Sequence, residues 1–203
     1  MGSRRHHRVM EMKNSPGVTG KRIIVGGTGS IAVTRLPSYI EAMRRQIPGS
    51  TFTVLLTHTA TSFISPESLA LFAERVVYGE SPADWPTDKP SRLAGDHDIL
   101  AVLPATAHTL AAAAGGAAPN RLMTVALSVD YPVVYFPVMG ARMWHKPAVQ
   151  RNIAQIREDG ALVNEPEWHD GFDPTTGAVS HHPALPSPET VATVVEDLLA
   201  KQH

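Results

Sequence analysis

Two apolar runs, each cut off by proline and followed by small residues, constrain this chain more than any other feature. Ile99-Leu100-Ala101-Val102-Leu103 leads into Pro104-Ala105-Thr106-Ala107-His108-Thr109, and Val133-Val134-Tyr135-Phe136 leads into Pro137-Val138-Met139-Gly140-Ala141-Arg142-Met143-Trp144. Runs that are continuously apolar, rather than alternating, read as strands buried on both faces of a parallel sheet. The residues after them then lie at the carboxyl ends of strands. In open α/β sheets that edge binds ligands, because loops there lead into helix N-termini whose free N–H groups favour anions and polar rings.

The rest of the chain alternates strand and helix with short connections, the pattern of βαβ units. Strands are predicted at 22–25, 52–56, 99–103, 122–127 and 133–136. Helices are predicted at 36–46, at 66–77 with Leu69, Phe72, Ala73 and Val76 on one face, from near Thr106 and Gly140, and at 189–200. The alanine-rich 110–118 stretch reads as a closely packed helix. Gly79 to Pro90 carries three prolines and few apolar residues and reads as an exposed loop. Residues 165–188, rich in Pro, Gly, Thr and His, read as a long loop of the kind that forms lids or binding loops.

Length suits one domain, placed at 21–203, with residues 1–20 read as a basic tail or expression remnant outside the fold. A net charge of −1, spread along 203 residues, suggests neither a nucleic-acid nor a membrane partner. No apolar stretch approaches the roughly 20 residues of a membrane span, and the N-terminus lacks an apolar secretory core. A cytoplasmic enzyme is the expectation. There is no cysteine, which excludes disulfides, thiolate metal sites and a protein thiol as nucleophile or redox relay. His181-His182 has no third ligand at zinc-like spacing, so no metal site is read.

Gly26-Gly27-Thr28-Gly29-Ser30 follows a strand and precedes a helix, so its N–H groups and hydroxyls can hold a phosphate. It lacks the spacing of a dinucleotide fingerprint or a Walker lysine. Thr57-His58-Thr59-Ala60-Thr61-Ser62-Phe63 is a second hydroxyl-rich turn at the next strand end. Thr106 and Thr109 suit ring contacts or helix capping. His97 reads as a solvated helix residue, and His58 and His145 as either site-flanking or surface residues.

These segments resemble the PASANT and PxMNxxMW signatures of the homo-oligomeric flavin-containing cysteine decarboxylases. The likeness runs from about Lys21 to about Leu199, through Gly27-Thr28-Gly29-Ser30-Ile31 and a C-terminal stretch with Thr176-Gly177 and His182-Pro183-Ala184-Leu185-Pro186, and is nearest to the peptidyl-cysteine branch of lanthipeptide and linaridin biosynthesis. The resemblance implies a single Rossmann-like (flavodoxin-like) three-layer α/β domain with a parallel sheet. It implies FMN or FAD held by Gly29, Ser30, Ile31, Thr57, Thr59, Phe63, Pro104, Ala105, Thr106, Thr109, Asn120 and Met139. It implies a precursor peptide with a C-terminal cysteine, met by Gly140, Arg142, Met143 and Trp144 under a clamp at about 165–188. A trimer-based homo-oligomer, often a dodecamer, with flavin at a subunit boundary is also implied.

The chain departs from that pattern where the family places its chemical groups. The family histidine, fourteen residues before the PASANT-like proline, falls on Pro90, and the asparagine of PxMNxxMW falls on Gly140. The asparagine of PASANT falls on His108, and the acid expected before Asn120 is Pro119. A base titrating near neutrality helps to ionise a substrate thiol. His108 is the candidate for that role, or else it fills the asparagine's hydrogen-bonding place. Without a flap cysteine to reduce the intermediate, the product is expected at the oxidised, enethiol level. The alternatives are a catalytically silent flavin-binding regulatory subunit and phosphopantothenoylcysteine decarboxylase.

Overall fold

The computed structural model describes residues 18–79, 88–173 and 177–202. Most of the proposed tail, the interior of the 79–90 loop and Thr176 lie outside the described residues. Six parallel strands, β1 (Arg22–Gly27), β2 (Thr51–Leu56), β3 (Arg75–Val77), β4 (Ile99–Ala105), β5 (Val133–Pro137) and β6 (Leu162–Val163), form one sheet in the order β3-β2-β1-β4-β5-β6. The order reverses between β1 and β4, so their carboxyl ends open a crevice where the loops part to opposite sides.

Helices α1 (Leu36–Gln46) and α8 (Pro188–Ala200) cover one face. The other face is covered by α3 (Pro90–Gly95), α4 (Ala107–Ala114), α5 (Arg121–Ala126) and α7 (Pro147–Glu158). The unbroken apolar strands resolve into two stripes of period two. Ile23, Val25, Ile99, Ala101 and Leu103 pack with Leu36, Tyr39, Met43, Val191 and Val195, whereas Ile24, Leu100 and Val102 pack with Leu110, Leu122, Val125 and Ile153. This is the three-layer α/β fold, with the expected strands at 22–25, 52–56, 99–103 and 133–136 in place.

Four local expectations are corrected. Residues 122–127 form a helix, α5, because Asn120 accepts a 3.0 Å hydrogen bond from the Met123 amide and caps it. An apolar run of that length fits either element, and the cap decides. The helix expected over 66–77 is one turn, α2 (Pro66–Leu69), followed by edge strand β3. Its apolar spacing fits a helix, but Glu74 accepts from the Phe52 amide and pairs with Arg44, which pins the chain beside β2. The alanine-rich helix stops at Ala114, before Gly115 and the positive-φ Gly116. Residues expected as a loop at 165–188 contain an antiparallel hairpin, β7 (Glu167–Asp173) and β8 (Ala178–Ala184). A two-stranded ribbon needs no apolar face of its own when it docks on a domain, so periodicity did not reveal it.

His97 is also not a solvated helix residue. Its Nδ1 lies 2.8 Å from the Leu93 carbonyl and its Nε2 2.8 Å from Thr53 Oγ1. The carbonyl only accepts, so the neutral ring carries its proton on Nδ1 and accepts from the threonine at Nε2. Burial pushes its pKa below the usual 6.5, with the Arg22 and Arg75 charges acting in the same direction. The folded state therefore favours the neutral ring. Its stabilisation is complete above about pH 6.5 and is lost as pH falls towards the lower folded value, because the unfolded chain takes up the proton first. Thermal unfolding followed across this range should show the midpoint falling on acidification, with a shallower slope in His97→Gln. An unchanged slope would count against this assignment.

Candidate active site

Strand β1 ends in Gly26-Gly27 because neighbouring side chains occupy the space of any Cβ. One on Gly26 would stand 2.7 Å from Leu122 Cδ1, and one on Gly27 2.6 Å from Leu56 Cδ2. The chain then enters the crevice at Thr28, which is 1% exposed. Its Oγ1 donates to the Pro104 carbonyl at 2.7 Å and accepts from the Thr106 amide at 3.2 Å, stitching the loop after β1 to the end of β4. A Cβ on Gly29 would lie 2.7 Å from Thr59 Cγ2 and 2.8 Å from its Cβ, so the loops after β1 and β2 also touch.

Thr106 caps α4, its Oγ1 accepting from the Thr109 amide at 3.3 Å and lying 3.0 Å from Thr109 Oγ1. Capping and ligand-facing roles are compatible here, since both threonines also line a cavity of about 450 Å³. Gly29, Thr57, Thr59, His108, Asn120 and Met143 line the same cavity. Asn120 does so while capping α5. Thr57 Oγ1 is buried and has no hydrogen-bond partner among the described residues. Such an atom costs free energy unless something supplies a partner.

The remaining expected residues do not line this cavity. Ser30 Oγ accepts from the Ala32 amide at 3.3 Å and caps the short turn at 31–35. Ile31 and Phe63 are exposed. Pro104 and Ala105 are buried in β4, and Met139 packs in the second core. Helix α6 (Ala141–Trp144) buries Trp144, whose carbonyl accepts from Gln150 Nε2, and leaves Arg142 exposed. Gly140 has φ −64° and nothing within 4 Å of an added Cβ. An asparagine would fit there, so the glycine removes a side-chain amide without answering a steric need. Pro90 begins α3 and offers no titratable group. Thr28, read in the sequence only as part of the hydroxyl-bearing first loop, and Ala107, read as a small residue that lets the backbone approach a ring, also line the cavity, as does His58, for which the sequence leaves site-flanking and surface roles open.

The β7–β8 hairpin docks beside α6 through an aromatic stack. The Trp168 ring lies between His145, at 5.4 Å, and His181, at 5.3 Å, both inclined by 22°. His181 Nδ1 is 2.8 Å from Asp170, and Tyr39 Oη donates to the Pro186 carbonyl at 2.8 Å, holding the return to α8. No helix among the described residues is long and apolar enough to cross a membrane.

Comparison with known proteins agrees with this geometry. Mersacidin decarboxylase of Bacillus sp. (strain HIL-Y85/54728) is 30% identical over 87% of this chain and 89% of its own length. The coenzyme A biosynthesis bifunctional protein CoaBC of Mycobacterium bovis is 31% identical over 90% of this chain, which spans 42% of that protein. The structure of a His-to-Asn variant of EpiD complexed with the substrate peptide DSYTC superposes with a TM-score of 0.77 at 25% identity, covering 88% of this chain and 98% of that one. The family model described as Flavoprotein matches residues 12–191. With its crevice at the sheet's switch point and nearly all of its folded length matched, the chain belongs to the flavoprotein family.

Proposed function

We propose that this chain is a flavin-dependent decarboxylase acting on the C-terminal cysteine of a ribosomally made precursor peptide. The observation that carries the reading is the meeting of the loops after β1 and β2 with the start of α4 around one cavity containing a partnerless Thr57 hydroxyl. The residues fit a flavin. Thr57, Thr59 and Gly29 would hold its phosphate, and Thr106, Thr109 and Asn120 the polar edge of its ring. Bound flavin supplies a two-electron oxidation of the substrate cysteine, after which carbon dioxide leaves and an enethiol remains.

The protein's own part is to orient the sulfur and move its proton. His108, in the first turn of α4, lines the cavity, which supports it as the side chain that accepts the thiol proton at an imidazole nitrogen. Met143 of α6 lines the same cavity, which supports α6 as the peptide's platform. Exposed Arg142 presents a planar guanidinium suited to the peptide's α-carboxylate. The hairpin, fixed to α6 through Trp168 and His145, is placed to cover a peptide lying there.

A trimer-based homo-oligomer with flavin at a subunit boundary belongs to the same proposal. Its support is the exposure of Ile31 (67%), Phe63 (42%) and Met143 (48%) on the loops and helix around the cavity, since large apolar residues grouped this way mark interaction surfaces.

The test is mass spectrometry of a cysteine-terminated peptide incubated with the yellow protein and oxygen. The expected product has lost carbon dioxide and two hydrogens together. Loss of carbon dioxide alone would overturn the oxidative course and favour a reductive one, as in phosphopantothenoylcysteine decarboxylase, for which this chain has no cysteine of its own. A second reading, a silent flavin-binding regulatory subunit, draws on Pro90 and Gly140, which put no acid, base or amide at two positions where the family pattern has them. Tight flavin binding with no turnover of any cysteine-terminated peptide would favour it.

A further inference from the structure

We propose that His58 is the counter-charge for the flavin's phosphate in this chain, an inference that rests on the flavin reading above. Among the described residues lining the cavity, His58 and His108 are the only titratable side chains, and no lysine, arginine, aspartate or glutamate lines it. A phosphate monoester such as that of FMN carries between one and two negative charges near neutrality, its second proton leaving near about pH 6. Hydroxyls and amide N–H groups can solvate that anion but bring no net charge. Within this chain's described lining, positive charge can come only from an imidazole.

The two histidines are carried by different elements, His58 by the loop after β2 and His108 by α4. His58 stands between Thr57, whose buried hydroxyl lacks a partner among the described residues, and Thr59, which packs against Gly29. That is where the loops after β1 and β2 touch and where hydroxyls concentrate, so it is the phosphate end. His108 belongs to α4, which follows β4, and so lies outside those two loops. The His58 ring is exposed and makes no hydrogen bond or ion pair among the described residues, so nothing competes with an anion for it.

A protonated imidazole donating to a phosphate oxygen makes a charge-assisted hydrogen bond. By linkage, an anion that prefers the protonated ring is bound with proton uptake, and its affinity falls as the ring loses its proton. FMN affinity should therefore weaken as pH rises through the histidine range, even though the phosphate itself gains charge. Riboflavin has the same ring and no phosphate, and its affinity should not follow this course.

The full chain is equilibrated with FMN or with riboflavin at a series of pH values, and free flavin is read by fluorescence. The expected result is a roughly tenfold weakening of FMN binding between about pH 6 and pH 8, with riboflavin binding flat. His58→Asn should remove that dependence and lower FMN affinity at the acid end, leaving riboflavin unchanged, while His108→Asn keeps the FMN profile. An unchanged profile in His58→Asn, or its loss in His108→Asn instead, overturns the assignment. If FMN binds at every pH but with no pH dependence in the wild type, the inference fails and the flavin reading stands. If neither flavin binds at any pH, the flavin reading fails and takes the inference with it.

Discussion

Replacing Gly29 by alanine should weaken flavin binding by roughly tenfold to a hundredfold, and replacing it by valine should abolish it. The cause is steric and local. The new Cβ would stand 2.7 Å from Thr59 Cγ2 and 2.8 Å from Thr59 Cβ. The second of these atoms is bonded directly to the backbone, so no rotamer change relieves the clash and the loops after β1 and β2 must separate. Overpacking of this kind costs about 1–3 kcal/mol, and each 1.4 kcal/mol expressed at the cavity is about tenfold in affinity. Thr59→Ser in the Gly29→Ala background removes the Cγ2 contact and should restore part of the affinity. Gly95→Ala, where nothing lies within 4 Å, is the matched control. Flavin titration alongside thermal unfolding separates the two places the cost can fall. A Gly29→Ala protein that binds flavin as tightly as the wild type would show that the touching loops do not form the phosphate end.

The sheet was legible because its strands announce themselves without reference to partners. Ile99 to Leu103 and Val133 to Phe136 are too continuously apolar to be anything but doubly covered, and the structure divides each run between two cores. What periodicity did not carry was structure fixed by single polar contacts at a distance. Asn120 capping Met123 turned an expected strand into α5, and Glu74 bonded to Phe52 and Arg44 turned an expected helix into β3. Each depends on one side chain, and the second on residues 22 to 30 positions away, which no window of sequence weighs.

The candidate site was legible as loops and less so as side chains. The hydroxyl-rich turns and the proline-led segment do meet, yet Ser30 spends its hydroxyl on a cap while Thr28, never singled out, joins two loops from 1% exposure. A threonine in a glycine-rich loop looks the same in sequence whether it faces ligand or backbone. The hairpin was the least visible part, because its anchor is the stack of its own Trp168 on His145 at the end of α6, a contact between side chains that no periodicity registers.

His108 carries the prediction with the largest effect on turnover. With Pro90 and Gly140 contributing no titratable group or amide, the cavity's described lining leaves two imidazoles, of which His58, between Thr57 and Thr59, is the one proposed for the phosphate. His108, second residue of α4, which Thr106 caps, lines the same cavity as Met143. If it takes the thiol proton, His108→Ala should lower turnover of a cysteine-terminated peptide by roughly 10²–10⁴, the usual worth of a general base. Flavin occupancy should be retained. His108→Asn supplies an amide that can hold a hydrogen bond but cannot take a proton in this range, so a proton-transfer role predicts that it falls as far as alanine. A purely hydrogen-bonding role predicts that asparagine keeps most of the rate. The pH profile separates the roles independently, since a base lost from the active site takes its acid limb with it, and a peptide already ionised at high pH should recover part of the rate in the variants. Both variants turning over at the wild-type rate, with flavin fully bound, would leave His108 without a catalytic part and return thiolate formation to the helix terminus and the flavin.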